Sequence, residues 1–377
     1  MQLEVVSDKA KFAQLKEHWN QLAADQPLHS WEWMFHWWDA FQNLGSLALL
    51  VVRDQDRVVG IAPWFIRRTA AGGKQLCFLG SGKTSTDYLR ILSTQDCATE
   101  VLRLIRQAIT EGLPGLPKLD CLELEGISAT DQQMSTLIAD LQQANFDVFV
   151  RRLESTWAVD LPSDWDTFVQ SVRKQYRRKI RSALRRMESG EFTFRSTATG
   201  EDFDLAIEHL IRLHQNRWEA KGEPGCFADP QFEQFLRTAG QALANRNACE
   251  IVWCEYQGTP IVSHIYLTTD KLIQLYQTGL DDEYREFEPG FLLFAHRLRH
   301  AIESGRTRFD FLRGDEHYKS FWGAQPHGLL KVRCIPASPV ARMRYKALQV
   351  ARAVKKQPDV WVPFGTDMPE IPATPAG

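Results

Sequence analysis

The sequence predicts a mixed α/β (α+β) fold in two consecutive domains, each a twisted mixed sheet flanked by helices. Three observations carry this expectation. At 377 residues the chain exceeds one ordinary hydrophobic core. Segments with a helical apolar period alternate with short apolar strands. The order helix pair, strand, polar turn, strand also occurs twice: LALLVVRDQDRVVGIAPWFI at 47–66 and CEIVWCEYQGTPIVSHIYL at 249–267. Such a repeat reads as an internal duplication. The domains are expected at 1–155 and 156–336, with a basic helix and a disordered tail over 337–377.

In the first domain, Phe12, Leu15, Trp19 and Leu22 share one face of a helix over 8–24. Ser30 is an N-cap candidate for the next helix, which carries Trp31, Trp33, Phe35, Trp37, Trp38 and Phe41. These rings either pack a core or form an aromatic wall for an acceptor. Two strands follow in 47–66 and two short ones in 75–92. A helix over 99–111, a Gly/Pro break, a strand at 119–124, a helix over 131–144 and a strand at 146–151 complete the unit. GSGKTS at 80–85 is not a phosphate-cradling P-loop, because Cys77 stands where its first glycine belongs and a strand, not a helix, follows.

The second domain starts with a basic helix. Arg173, Lys174, Arg177, Arg178, Lys179, Arg181, Arg185 and Arg186 alternate with an apolar stripe that includes Val172, Tyr176, Ile180, Leu184 and Met187. One face packs; the other is a cationic comb, either a solvated surface or a landing site for phosphates. Helices over 201–218 and 230–244 lead to the second hairpin. Then comes KLIQLYQTGLDDEYREFEPGFLLFAHRLRHAIESGRTRFDFLRGDEHYKSFW, residues 271–322. It reads as a strand at 272–278, an acidic turn, a helix opened by Pro289-Gly290, a strand at 308–312 and a short segment at Tyr318-Lys319. A last strand is expected at 329–335 and a basic helix over 340–356.

A formal net charge of −2 argues against a general polyanion binder and leaves local patches as the only nucleic-acid case. No run of apolar residues is long enough for a transmembrane helix, and MQLEVVSDKAKF is no signal peptide. Seven cysteines, odd in number and without CxxC, read as reduced thiols of a cytoplasmic protein and give no zinc spacing.

RLHQNRWEAKG, PIVSHIYL, YQTGLDDEYREFEPGFLL and FDFLRGDEHYKSFWG, together with KQYRRKIRSALRRME, resemble the GNAT acyltransferase superfamily. The closest likeness is to its tandem branch, which holds the FemAB-like aminoacyl-tRNA-dependent transferases and the CelD-type proteins of exopolysaccharide biosynthesis. The resemblance implies two GNAT-like domains, the second carrying a transferase site. It implies acyl-CoA, most simply acetyl-CoA, as donor, bound by Gln277, Thr278 and Gly279 on the strand and by Pro289, Gly290, Phe291 and Leu292 at a helix start that receives a pyrophosphate. The family's Gly-rich loop is replaced here by Asp281, Asp282, Glu283, Glu286 and Glu288, with Arg285 as the only cation. These carboxylates suit a phosphate site only if they point away.

Acyl transfer needs a base, an oxyanion donor and a proton for the leaving group. His264, in an otherwise apolar strand, is a base candidate or a core histidine. Asp310 in FDF either bonds a neighbour or faces the cleft. Tyr318 lies where many GNAT enzymes place a tyrosine that protonates the leaving thiolate. Arg217, Trp218, Lys221, Lys319 and Trp322 are candidates to bind acceptor or carrier, and Arg177, Arg178 and Arg181 form a phosphate patch. Three readings follow. One is acyl transfer from acyl-CoA or acyl-carrier protein to an amine or hydroxyl of a glycan, amino-sugar or envelope precursor. The second is aminoacyl-tRNA-dependent transfer. The third is a non-catalytic module that contacts a protein or an anionic membrane.

Overall fold

The computed structural model describes residues 1–24, 26–354 and 360–366, without the side chains of 348 and 350–354. In chain order the elements are β1 (Gln2–Val6), α1 (Lys9–Gln14), α2 (Lys16–Ala23), α3 (Trp31–Phe41), β2 (Ser46–Leu47), β3 (Leu49–Asp54), β4 (Arg57–Ala62), β5 (Trp64–Arg68), β6 (Lys74–Phe78) and β7 (Leu92–Ser93). Then come α4 (Ala98–Glu111), β8 (Cys121–Ser128), α5 (Gln132–Gln143), β9 (Asp147–Asp160), α6 (Trp165–Ser171), α7 (Lys174–Glu188), β10 (Phe192–Ser196), α8 (Phe203–Glu219) and α9 (Pro230–Ala244). The chain closes with β11 (Cys249–Tyr256), β12 (Thr259–Thr268), β13 (Leu272–Leu280), α10 (Pro289–Glu303), β14 (Arg308–Arg313), α11 (Tyr318–Phe321), β15 (Gln325–Ile335), α12 (Pro339–Val354) and β16 (Val362–Pro363). The chain forms two compact units: residues 1–154 with 328–366, and residues 155–327.

Helix starts follow local chemistry. Asp8, Ser30, Asp131, Asp164, Asp202 and Asp229 each accept a backbone N–H of the first turn. The single helix expected over 8–24 is two, broken at Leu15 (φ −80°, ψ −3°). In the first unit, β1-β3-β4-β7 form one sheet and β15-β8-β6-β5-β2 follow one another in a second, with β6 and β8 parallel. β15 was expected to close the second domain, but from Gly328 onward it belongs to the first unit. There it pairs antiparallel with β8 from Leu329↔Ser128 to Cys334↔Leu122. The tail is likewise not wholly without structure. Val362 pairs with Val150, the Phe364 N–H bonds the Val148 carbonyl at 3.0 Å, and Trp361 lies 4.0 Å over the Arg333 guanidinium. Lys355, Lys356 and residues 367–377 lie outside the described residues.

In the second unit, β10-β11-β12-β13-β14 and the end of β9 run in that order. The first three pairings are antiparallel, β13–β14 is parallel, and β14 pairs antiparallel with 156–160. One face carries α7 and α10 over Val252, Tyr266, Phe309 and Phe311. The other carries α8. The two hairpins share their irregularities. Each has a two-residue turn that starts with a glutamine at positive φ (Gln55 at 53°, Gln257 at 50°), and each has a register shift just before it. A two-residue hairpin turn demands positive φ at its first position, so the two hairpins are alike in geometry.

Candidate functional site

β13 and β14 open the site. They pair only from Leu272↔Arg308 to Gln274↔Asp310, while β13 runs on to Leu280. Among the described residues no strand pairs with 275–280 on that side, so the two strands part. On its other edge β13 keeps its pairing with β12, with a bulge opposite Ile265/Tyr266. Tyr276, Gln277 and Thr278 are half-buried along the opening.

Side-chain alternation then sorts the candidates. Thr278 pairs with His264, so both face α10. His264 is 1% exposed; its Nδ1 is 2.7 Å from the Tyr266 hydroxyl, and its ring lies 4.7 Å from that of Phe294. Burial, then the charges of Arg297 and Arg217, lower its pKa to about 3. Tyr318 stacks on the same Phe294 ring at 5.2 Å. Burial first and then Glu316 raise its hydroxyl pKa, while Arg217 opposes them. His264 and Tyr318 are thus brought together around Phe294, with the charge of Arg217 felt by both. Residue spacing did not single out Tyr266 or Arg297. Tyr266 reads as one more strand residue, yet it is buried, its ionisation is pushed up by burial, and it fixes His264. Arg297 is 2% exposed, paired with Glu250, and lies 5.1 Å over the Tyr266 ring; Glu250 also accepts from Ser196 at 3.3 Å.

Other candidates are placed elsewhere. Asp310 is buried and alternates with Phe309 and Phe311, which face α10, so it lies on the opposite face of the sheet from His264. Its carboxylate accepts the Leu312 N–H at 2.9 Å and steadies Leu312 at φ 55°. Lys319 is 1% exposed; its ammonium donates to the carbonyls of Leu312 (3.1 Å), Arg313 (2.9 Å) and Gly314 (2.9 Å) and pairs with Glu316. It locks the exit of β14 and has no donor to spare for a substrate. Gly279 packs closely on α8. A Cβ there would lie 2.6 Å from the His214 backbone nitrogen and 2.8 Å from the Leu210 carbonyl oxygen of α8. Trp322 is buried and stacks on Phe291 at 4.6 Å. Trp218 and Lys221 are exposed, with the Lys221 ammonium 5.3 Å over the indole.

At the start of α10, Pro289 and Leu292 are buried, and a Cβ on Gly290 would meet nothing within 4 Å. A ligand therefore has room beside that backbone. Glu288, in the left-handed region (φ 50°, ψ 52°), precedes the helix and pairs with Lys179 at 2.5 Å. Its own carboxylate thus stands by the helix start on the α7 side, where a cavity of only about 60 Å³ remains. Asp282, Glu283 and Glu286 are exposed.

The cationic comb divides in two. Arg177 is used on the Val172 and Gln170 carbonyls, Lys179 on Glu288, and Arg186 on the Phe287 carbonyl. Arg173, Lys174, Arg178, Arg181 and Arg185 are exposed and have no carboxylate partner among the described residues. Lys174, Arg178, Arg181 and Arg185 fall on one stripe of the helix, because steps of four, three and four residues nearly close its turns.

All seven cysteines are free thiols and six are buried. Among the described residues no helix is long and apolar enough to cross a membrane, and no group of three His, Cys, Asp or Glu side chains could hold a metal ion.

Residues 170–320 match the family model described as an acetyltransferase (GNAT) domain. The chain superimposes on the crystal structure of FemX with a TM-score of 0.60 and 13% identity, over 91% of this chain and 99% of that one. A conserved protein of unknown function from Bacteroides thetaiotaomicron gives a TM-score of 0.52 at 9% identity, over 89% and 100%. No curated protein sequence matches. These likenesses agree with the mixed α/β fold and with a GNAT-like domain over residues 170–320.

Proposed function

We propose, from the match of residues 170–320 to an acetyltransferase (GNAT) domain, that the second unit transfers an acyl group from acyl-CoA to an amine or hydroxyl of a glycan, amino-sugar or envelope precursor. The observation that carries the reading is the parting of β13 from β14 after Gln274, with Thr278 on the parted stretch, His264 as its partner on β12, and Tyr318 packed on the same Phe294 ring as His264. The edge of β13 at Gln277–Leu280, beyond its pairing with β14, offers backbone groups to the donor's amide-bearing arm. The start of α10 at Gly290 offers N–H groups to its phosphates, approached from the side away from Glu288.

Tyr318 holds its proton at neutral pH, as a group that donates to a leaving thiolate must. His264 is neutral at that pH. In the tautomer whose Nδ1–H donates to Tyr266, its Nε2 keeps a lone pair for the acceptor's proton. Its basicity is weak, so the better acceptor is an amine already neutral on arrival. Arg217 lies close enough to influence both groups. Asp310 and Lys319 hold the end of β14 in shape.

Native mass spectrometry against CoA, acetyl-CoA and longer acyl-CoAs is the test of the donor. Retention of none of them would refute it. With an acceptor in hand, Tyr318→Phe should lower turnover about 10²-fold or more. Unchanged turnover in both Tyr318→Phe and His264→Ala would refute the site.

The exposed stripe Lys174, Arg178, Arg181, Arg185 favours a second reading, delivery of an aminoacyl group on tRNA. It predicts binding that falls steeply with salt and a shallower salt slope when Arg178, Arg181 and Arg185 become glutamine. Salt-independent binding or none would rule it out.

A further inference from the structure

The first unit holds a cavity of about 300 Å³ where α12 covers β5, β6, β8 and β15. Four guanidiniums line it (Arg67, Arg68, Arg333 and Arg344) against two carboxylates (Asp120 and Glu123), an excess of two positive charges. Both carboxylates are already engaged by donors, Glu123 fully so. Glu123, 3% exposed, takes Arg333 at 2.5 Å, Arg67 at 3.1 Å and Lys331 at 3.2 Å. Burial alone would raise its pKa, but Lys331 and Arg333 bring it down to about 2, so it stays an acceptor. Asp120 takes Arg344 on one oxygen and the Lys74 N–H on the other, both at 2.8 Å.

The donors are not used up. Arg68 has no hydrogen bond or ion pair among the described residues, and Arg344 makes one bond with a five-donor group. Tyr345, 9% exposed, accepts on its hydroxyl oxygen from Gln349 at 2.8 Å and from Arg333 at 3.4 Å. Its own proton has no acceptor among the described residues. A pocket with surplus donors, surplus positive charge and carboxylates already paired is complementary to an oxyanion, and planar guanidiniums match phosphate and carboxylate in two-point fashion. The volume holds roughly ten groups of water size, at about 30 Å³ each. That is more than a bare phosphate, and Ala341 and the Tyr345 ring give an apolar wall for a small body.

We propose that this cavity, formed by Arg67, Arg68, Arg344 and Tyr345 of the first unit, binds a small molecule carrying a phosphate or carboxylate group, at a site separate from the acyl-transfer cleft of the second unit. The proposal does not depend on that cleft's chemistry.

Isothermal titration of the full chain at constant ionic strength, with inorganic phosphate, glycerol 3-phosphate and succinate as probes, is the test. At least one probe should bind one per chain. Arg68→Gln should weaken it at least about tenfold and Tyr345→Phe about three- to tenfold, in line with the loss of a charged and a neutral hydrogen bond. Arg68 has no partner to lose, so its variant should keep the wild-type melting temperature. Tighter binding of glycerol 3-phosphate assigns a phosphate ligand, and tighter binding of succinate a carboxylate. No saturable heat from any probe overturns the proposal. So does equal affinity in both variants, which would mark an adventitious site elsewhere.

Discussion

Replacing Lys319 by methionine removes the ammonium and keeps most of the aliphatic stem. Three carbonyls at the end of β14 then lose a charged donor, and Glu316 loses its partner. Each buried acceptor left unsatisfied costs about 1–3 kcal/mol. Some of that returns as the loop relaxes and admits water, because Arg313 is only half-buried. The stretch cannot relax freely, since Leu312 (φ 55°) and Gly314 (φ 121°) already hold left-handed conformations. A net loss of about 3–5 kcal/mol follows, the range for breaking a buried charged contact. With an m-value of about 2 kcal/mol/M in urea, the midpoint of the transition that reports the second unit should drop by about 2 M. Trp157 and Trp322 provide a fluorescence probe there. A drop below about 0.5 M would refute the reasoning and return Lys319 to the list of binding residues, whose removal leaves stability nearly unchanged.

Three more outcomes are expected. Gly279→Ala should cost about 1–3 kcal/mol by pushing α8 off β13; since α8 also carries Arg217, any CoA affinity should fall with the stability, and an unchanged melting temperature would contradict the close approach. Arg297→Met leaves Glu250 buried and unpaired, for about 3–5 kcal/mol, whereas Arg297→Met with Glu250→Gln should recover at least half of that in a double-mutant cycle. His29 and His214, lowered to about 4, and His264 and His296, lowered to about 3, are all depressed chiefly by burial. Their neutral forms contribute stability that is present above the unfolded value of about 6.5 and is lost as pH falls toward 4. Urea midpoints from pH 7.5 to 5 should therefore decline steadily below about 6.5, and a flat profile would contradict the burial of these rings.

Local chemistry was legible where it is local. Ser30 caps α3 and Asp8 caps α1 as a short polar side chain before an apolar run should. Pro289 opens α10, and the apolar stripe of α7 buries Ile180 and Ala183. What could not be read depends on partners distant in sequence. Lysine is almost never buried, so nothing in HYKSFW tells that Lys319 folds back on the strand before it. Arg177, Lys179 and Arg186 look like Arg178 and Arg181 in a comb, and only packing against 170–172 and 287–288 separates them. β15 follows the second unit in sequence but pairs with β8, some two hundred residues earlier. Asp310 and His264 both sit in apolar strands, and only the register decides that they face opposite sides.

Beyond Gln274, β13 runs on past its pairing with β14, and among the described residues no other strand takes up that edge. An unpaired edge invites addition of a foreign strand, and proteins usually protect rim strands with charge, proline or brevity. Here the protection is depth. Leu275 and Gly279 are buried and Tyr276–Thr278 half-buried, while exposed Asp282, Glu283 and Glu286 crowd the turn at the end of the strand. The acidic turn places like charge beside that edge, so neutralising its three exposed carboxylates is expected to lower solubility before it lowers folding stability.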